Sequence, residues 1–377
     1  MGVEGLLNFV KSTRQQVHVS AFKGETVAVD ASAWLHRGLF TCALEVLTGQ
    51  STDRFLELPL RLVAMMQQHG VHPLLVFDGA TLPLKHGTGR SRARATNLDK
   101  GVELLKAGRE TEAKAALGKA VSVAPWMATL LIEQLRRLDV PFVVAPYEAD
   151  PQLAFLVREG HCAAAISEDS DLLAYGCPRT LYKLDAEAGT GELIDLEDLR
   201  SAEGPKGHLF DGTWAGEWEA WRGGLFTDLC ILSGTDYLSS LHGVGIKTAH
   251  TGLRKWKELA RALRSNPLKA QAKLSEEDLK SYLEHAELVR PVSLVRLIRL
   301  VRPVSLIRLI RLVRPVSLVR LIRLISLIRL VRAVSLIILV SLVRLIRPVS
   351  PIRLVSLPMV RDQEGMTGLA TPPASVG

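Results

Sequence analysis

Thr26-Val27-Ala28-Val29-Asp30 is an apolar run of strand length that stops on an acid. Three later stretches repeat the form. Leu74-Leu75-Val76-Phe77 leads into Asp78, and Phe142-Val143-Val144-Ala145 is soon followed by Glu148 and Asp150. Ala163-Ala164-Ala165-Ile166 is followed by Asp169 and Asp171. Continuous apolar runs of this length suit strands buried on both faces. Helical candidates lie between them, among them Trp126 to Leu138 and Pro151 to Arg158. The second opens on Asp150-Pro151, which reads as an N-cap and first-turn pair. The alternation predicts an α/β fold, with a mostly parallel central sheet wrapped by helices.

In a parallel sheet the strand ends share one edge, and open α/β sheets place their sites at the carboxyl edge. Asp30, Asp78, Glu148, Asp150, Asp169 and Asp171 would therefore converge there, with Asp236 of Ser233-Gly234-Thr235-Asp236-Tyr237 as a seventh. A single strand-end acid is more often a helix cap or a loop ion pair, so the weight rests on the set. Clustered carboxylates raise one another's pKa, and hard divalent cations resolve the repulsion. Two such ions about 3.5–4 Å apart can activate a water and stabilise the leaving oxygen of a phosphodiester. If Glu148/Asp150 and Asp169/Asp171 lie in strands, their two-residue spacing places each pair on one face.

Thr81 to Pro125 carries no strand pattern and is too long for a simple connection, so it reads as an inserted helical subdomain. Lys85 and Arg92 within it lie seven residues apart, two helical turns and one face. Cations there could grip a scissile phosphate and offset transition-state charge; a solvated basic face is the plainer alternative. Leu241-His242-Gly243-Val244-Gly245 has the form of a hairpin between two helices, whose backbone N–H groups can face a phosphate. Ser201 to Gly224, rich in Gly and Trp, reads as a surface insertion. The four cysteines form no C-x-x-C pair, which disfavours zinc and suits buried free thiols.

The net charge of +8 is unevenly placed. From Arg290 onward fifteen Arg face one Asp and one Glu, a local +13, which leaves −5 for the residues before it. Global charge therefore gives no case for nucleic-acid binding, and any such case rests on local clusters. Arg290 to Val301 reads RPVSLVRLIRLV and recurs almost unchanged with a period of 12. Its Arg spacing fits neither helix nor strand, and a proline would break a helix in each copy. The longest uncharged run within the repeat, Ala333 to Val343, is shorter than a membrane span of about 20 residues. The segment reads as a tandem repeat without structure of its own; a basic tail for a membrane surface or nucleic acid is the alternative.

The stretches MGVEGLLNFV, VAVDASAWLH, VFDGATLPLK, APYEADPQLAFL, SEDSDLLAYGC and CILSGTDYLSSLHGVGIKTA, spread over residues 1 to about 250, resemble the flap endonuclease/XPG superfamily of structure-specific 5′ nucleases. That resemblance implies a PIN-like 5′ nuclease core with a helical arch and a helix–two-turn–helix element. It implies two Mg²⁺ ions, with Mn²⁺ able to substitute, on Asp30, Asp78, Glu148, Asp150, Asp169, Asp171 and Asp236. Lys85 and Arg92 match arch residues on the scissile phosphate. His36 matches a residue beside the substrate's 5′ end, and Gly2 would sit near the active site. Gly243, Gly245 and Lys247 would meet the DNA backbone. Ser233, Ser240 and Val244 fall where relatives hold K⁺.

The implied activity is 5′→3′ exonuclease action on duplex DNA in nuclear repair, with flap cleavage beside it. Substrates would carry 5′ ends, nicks, gaps or flaps; mismatch-repair proteins are the partners the family implies, while the tail region that usually binds them is absent from this sequence. No membrane role is implied. A dedicated flap endonuclease and a non-catalytic DNA-binding product are the alternatives. The implied organisation is 1–99 and 100–200 for the nuclease region, 201–224 for the insertion and 225–289 for the helix–two-turn–helix region. The repeat takes 290–361 and a tail 362–377. Against the family pattern stand Ser32 where an aromatic is usual, Gly87 and Gly89 in the arch, Pro59 in a helical segment, and the repeat itself.

Overall fold

The computed structural model describes residues 2–80, 88–265, 268 and 275–290, with 88–91 and 288 by backbone alone. Lys85 and the repeat after Arg290 lie outside the described residues, as does the tail from 362. The described residues all belong to one compact unit, Met1–Arg311.

The four expected strands all form. They are β2 (Thr26–Asp30), β3 (His72–Phe77), β4 (Phe142–Val144) and β5 (Ala164–Ile166). Three more join them: β1 (Gln15–His18), β6 (Arg179–Tyr182) and β7 (Thr190–Asp195). The sheet order is β1-β7-β6-β5-β2-β3-β4. Pairing is parallel from β6 through β5, β2 and β3 to β4, and antiparallel where β7 meets β6 and β1. The register sets Asp30 opposite Val76, and Val29 opposite Ile166, so β2, β3 and β5 end at one edge.

Strand alternation assigns the two faces. Val27, Val29, Leu75, Phe77 and Ile166 pack with Trp34, Leu35, Leu62, Met66, Leu131 and Leu135. Those side chains come from α2 (Ala31–Leu39), α4 (Glu57–Gln68) and α7 (Pro125–Arg137). Ala28, Leu74, Val76 and Ala165 meet Leu153, Ala154 and Val157 of α8 (Ala149–Arg158) on the other face. Pro59 is harmless because it stands in the first turn of α4, where its missing N–H has no helical acceptor to lose.

The expected helical insertion is a hairpin of α5 (Thr88–Lys106) and α6 (Glu110–Ala120). A Cβ on Gly101 would fall 2.5 Å from Leu117, so a glycine there lets the two helices close. α11 (Phe226–Ser233) and α12 (Ile246–Trp256) flank the expected two-turn connection, and α14 (Glu276–Val289) follows. Between α12 and α14 runs the short α13 (Leu259–Arg264).

The Gly- and Trp-rich stretch departs from its expected place at the surface. Trp218 and Trp221 are buried, and Phe210 with Trp221 joins the core that holds Leu229, Leu253 and Tyr282. Trp221 stacks on His250 at 5.2 Å, and Glu217, fully buried, pairs with Arg254 at 2.7 Å. The aromatics serve as filling for the core behind α11. All four cysteines are buried free thiols. No single helix among the described residues is long and apolar enough to cross a membrane.

Candidate active site

Asp30, Asp78, Asp150, Asp169 and Asp171 lie close enough to repel one another, and Asp30, Asp78, Glu148 and Asp169 are each held by a neighbour. Asp30 ends β2 and caps α2, its Oδ1 accepting from the Ala33 N–H at 2.9 Å. Its Oδ2 accepts from Ser167 Oγ at 2.8 Å, which ties β2 to the loop after β5. Asp78 follows β3. Its Oδ2 accepts from Ser32 Oγ at 2.6 Å and its Oδ1 from the Ala149 N–H at 2.8 Å. Asp78 thereby satisfies a first-turn donor of α8 that no side chain of that helix reaches.

Glu148/Asp150 and Asp169/Asp171 are not strand pairs, contrary to expectation. Glu148 is the N-cap of α8 and Asp150 lies in its first turn, so the N-cap belongs to Glu148 and not to Asp150. Asp169 lies in the loop after β5, and Asp171 opens α9 (Asp171–Ala174). The chain leaves β4 and β5 before its acids appear, and it is the turn that presents them. Asp169 Oδ1 accepts from the Asp171 N–H at 3.0 Å. Glu148 accepts from the hydroxyl of Tyr237, the residue after Asp236, which brings the end of the α11 connection to the cluster. Tyr175 donates to the same Tyr237 oxygen at 3.3 Å.

Gly2 lies against this group. Its φ of +78° is in the left-handed region, and a Cβ there would fall 2.1 Å from Asp169 Oδ1 and 2.5 Å from Ser170 Oγ. Only glycine fits between the chain start and the acids.

Electrostatics mark the site. Burial raises Asp30 to about 7, with Asp78 and Asp169 adding like-charge repulsion. Asp150 is pushed well above the usual carboxylate range, first by burial and then by Asp169, Asp30, Asp171 and Asp78. The Oδ1 of Asp150 is out of solvent contact and accepts no hydrogen bond. Among the described residues no three of these groups meet at ligand distance of one point, because their oxygens turn toward Ser32, Ser167, Tyr237 and the helix N–H groups. The donor set nonetheless suits a hard divalent cation, which would offset the mutual repulsion and satisfy Asp150 Oδ1.

The other expected residues are spread around this centre. His36 lies on α2, edge-on to Phe40 at 5.2 Å, and burial together with Arg94 of α5 lowers its pKa. Arg92 is exposed on α5. Gly243, Gly245 and Lys247 are exposed in the connection and at the start of α12, with Gly243 at φ +74°. Ser240 is exposed, Val244 is buried, and Ser233 is buried with its hydroxyl donating to the Leu229 carbonyl at 2.7 Å. Sequence reasoning missed Ser167, Tyr175 and Tyr237. Ser167 and Tyr237 bond to acids, and Tyr175 bonds to Tyr237, from positions that no spacing rule singles out.

Two family models match the chain, the XPG N-terminal domain over residues 1–98 and the XPG I-region over residues 139–236. Between them these spans hold all seven acids. Exonuclease 1 of Xenopus laevis is 41% identical over 256 residues, 66% of this chain and 32% of that protein. Exodeoxyribonuclease 1 of Schizosaccharomyces pombe is 36% identical over 278 residues, 73% of this chain and 46% of that one. The chain thus spans less than half the length of these relatives. Among solved structures, the catalytic core of Rad2 in complex with DNA substrate superposes with a TM-score of 0.52 at 19% identity, covering 76% of this chain and 81% of that one. That likeness concerns the fold. On the two family models, which together cover about half of it, the chain belongs to the XPG/flap endonuclease superfamily.

Proposed function

We propose that the chain is a metal-dependent 5′ nuclease that hydrolyses phosphodiester bonds from 5′ ends of duplex DNA in the 5′→3′ direction, with flap cleavage as a second activity. The observation that carries this is the convergence of strand-end carboxylates on one sheet edge, with Asp150 Oδ1 buried and lacking a hydrogen-bond donor. The exonuclease names of the relatives support the same reading.

Asp30, Asp78, Glu148, Asp150, Asp169, Asp171 and Asp236 would hold two Mg²⁺ ions, or Mn²⁺ in their place. Divalent cations bound there supply an activated water and stabilise the leaving oxygen. The chain's own part is orientation. Ser167 and the Ala33 N–H fix Asp30, and Ser32 and the Ala149 N–H fix Asp78. Lys85 and Arg92 grip the scissile phosphate and offset charge built up in the transition state. His36 stands beside the 5′ end. Gly2 lets the chain start pack on Asp169 without crowding the phosphate. Gly243, Gly245 and Lys247 bind the duplex backbone away from the cut. Ser233, Ser240 and Val244 would hold K⁺ there once the Ser233 hydroxyl turns from Leu229. The setting is DNA repair in the nucleus, with mismatch-repair proteins as partners.

The test is nucleotide release from 5′-labelled duplex with Mg²⁺ or with EDTA, by the wild type and by Asp171→Ala. Wild type should cut only with the metal. The variant should lose more than about 100-fold, beyond the usual effect of groups behind the ligands, while still binding duplex. Cleavage in EDTA, or by the variant at more than a few per cent of wild type, would falsify the assignment.

A further inference from the structure

Glu168 stands between two residues of the site, Ser167 and Asp169, yet its side chain turns away from the acids. Its Oε1 accepts from Arg37 Nη1 of α2 at 3.0 Å, and the same nitrogen donates to the Leu184 carbonyl at 2.9 Å. The second partner of Glu168 is the backbone N–H of Lys183, just past β6. Lys183 has φ +52°, in the left-handed region that a residue with a side chain seldom adopts. Such backbone persists where surrounding contacts over-determine it. The helix α2 and the segment after β6 therefore converge on one carboxylate that lies next to the site.

The attachment complements one already described. Ser167 joins the start of α2 to the loop through Asp30, and Glu168 joins the end of α2 through Arg37. Asp30 and Arg37 are seven residues apart on α2, two helical turns, so the loop is pinned to the helix at both ends of one face. Asp169 and Asp171 follow at once on the pinned residues. Any slack at Glu168 would pass directly into their positions.

We infer that Glu168 is a positioning residue, clamped by Arg37 and the Lys183 N–H, whose task is to hold the Ser167–Asp171 loop in register with α2 so that Asp169 and Asp171 share cations with Asp30. The inference rests on the proposed nuclease reading. It sets the role of the Arg37–Glu168 pair apart from a surface ion pair, which contributes little and leaves the chemistry untouched. It also sets Arg37 apart from a direct contact to DNA.

The test measures Mn²⁺ binding to the full chain by calorimetry, duplex binding without metal, and turnover. Glu168→Ala should weaken Mn²⁺ binding about 10-fold or more, in the range found for groups that orient ligands. Turnover should fall with it and metal-free duplex binding should not change. Arg37→Lys, which keeps one donor, should retain part of the affinity. The exchange Arg37→Glu with Glu168→Arg should recover more than either single change. Should Glu168→Ala fail to fold, Glu168→Gln keeps the shape and serves the same comparison. Unchanged Mn²⁺ affinity in Glu168→Ala beside a metal-binding wild type overturns this inference alone. Arg37→Lys that weakens metal-free duplex binding while leaving Mn²⁺ binding intact also overturns it, since Arg37 would then be a DNA contact. A wild type that binds no Mn²⁺ overturns the nuclease reading and the inference with it.

Discussion

Ser32 Oγ lies 2.6 Å from Asp78 Oδ2, so the first turn of α2 reaches across from β2 to steady the acid at the end of β3. An aromatic is usual at this position in the superfamily that the sequence resembles, and a hydroxyl here exchanges ring contact for a hold on a carboxylate. Ser32→Ala should raise the Mg²⁺ concentration for half-maximal cleavage up to about 10-fold, at the low end for an outer partner of a ligand. Asp78 keeps its bond from the Ala149 N–H, which limits the loss. A metal titration of cleavage rate decides, and an unchanged midpoint would remove Ser32 from the site.

Tyr237 should matter through one oxygen atom. Its hydroxyl donates to Glu148 and receives from Tyr175. Tyr237→Phe keeps the ring and removes the link, so turnover should fall about 10-fold with KM for duplex nearly unchanged. If KM rises and kcat holds, the ring serves duplex docking and the hydroxyl is incidental.

His250 predicts acid sensitivity of the fold. Burial lowers its pKa, and its Nε2 bonds to the Leu209 carbonyl at 2.6 Å, as a donor in the neutral ring. A depressed pKa means the unfolded chain binds the proton more readily than the folded one. The stability is therefore fully present above about pH 6.5, the unfolded value, and is lost as pH falls toward the lower folded value. Thermal melts of wild type and His250→Phe between pH 7.5 and 5 should show a steeper loss for wild type. Parallel curves would sink the assignment.

How far the sequence discloses this arrangement depends on the kind of strand. β2, β3, β4 and β5 are buried runs and declare themselves. β1 does not, because Gln15-Gln16-Val17-His18 is an edge strand, half exposed, and among the described residues is paired only by β7. β7 carries Gly191 and Glu192, and β6 has four residues, so neither rises above a turn-rich background. Six of the acids were legible as a set because each lies near a strand end, whereas Asp236 follows α11. Their local geometry was not, since the break from strand to turn falls between Val144 and Glu148 and between Ile166 and Asp169. The Trp-rich stretch misled because glycine suggests surface, while Phe210 and Trp221 find a partner in His250, which lies far off in sequence.

Arg290, expected at the head of the repeat, is tied to the described core. It pairs with Asp228 at 2.9 Å, whose carboxyl burial raises to about 6 even so, and with Glu287 at 3.3 Å. Removing one partner of a buried pair costs about 3–5 kcal/mol; Arg290 keeps 30% side-chain exposure, so Arg290→Ala should fall at or below the low end of that range. Below about pH 6 Asp228 takes up a proton in both forms, and the difference should shrink. A chain ending at Arg290 should melt cooperatively and one ending before Glu287 should melt lower. A cooperative transition confined to the full chain would show that residues beyond Arg290 complete the fold.

The sheet order has a consequence for biosynthesis. β2 sits between β3 and β5, and β1, among the first residues made, waits for β7 at Thr190–Asp195. The acids come from positions 30 to 171, and the Tyr237 hydroxyl that holds Glu148 is made later still. Contacts this distant in sequence form late. While the ribosome is still adding residues before Tyr237, the emerging chain has its first acids but lacks the assembled centre. If the proposed activity holds, chains ending before Tyr237 should cut no DNA, whether still on the ribosome or released by premature termination.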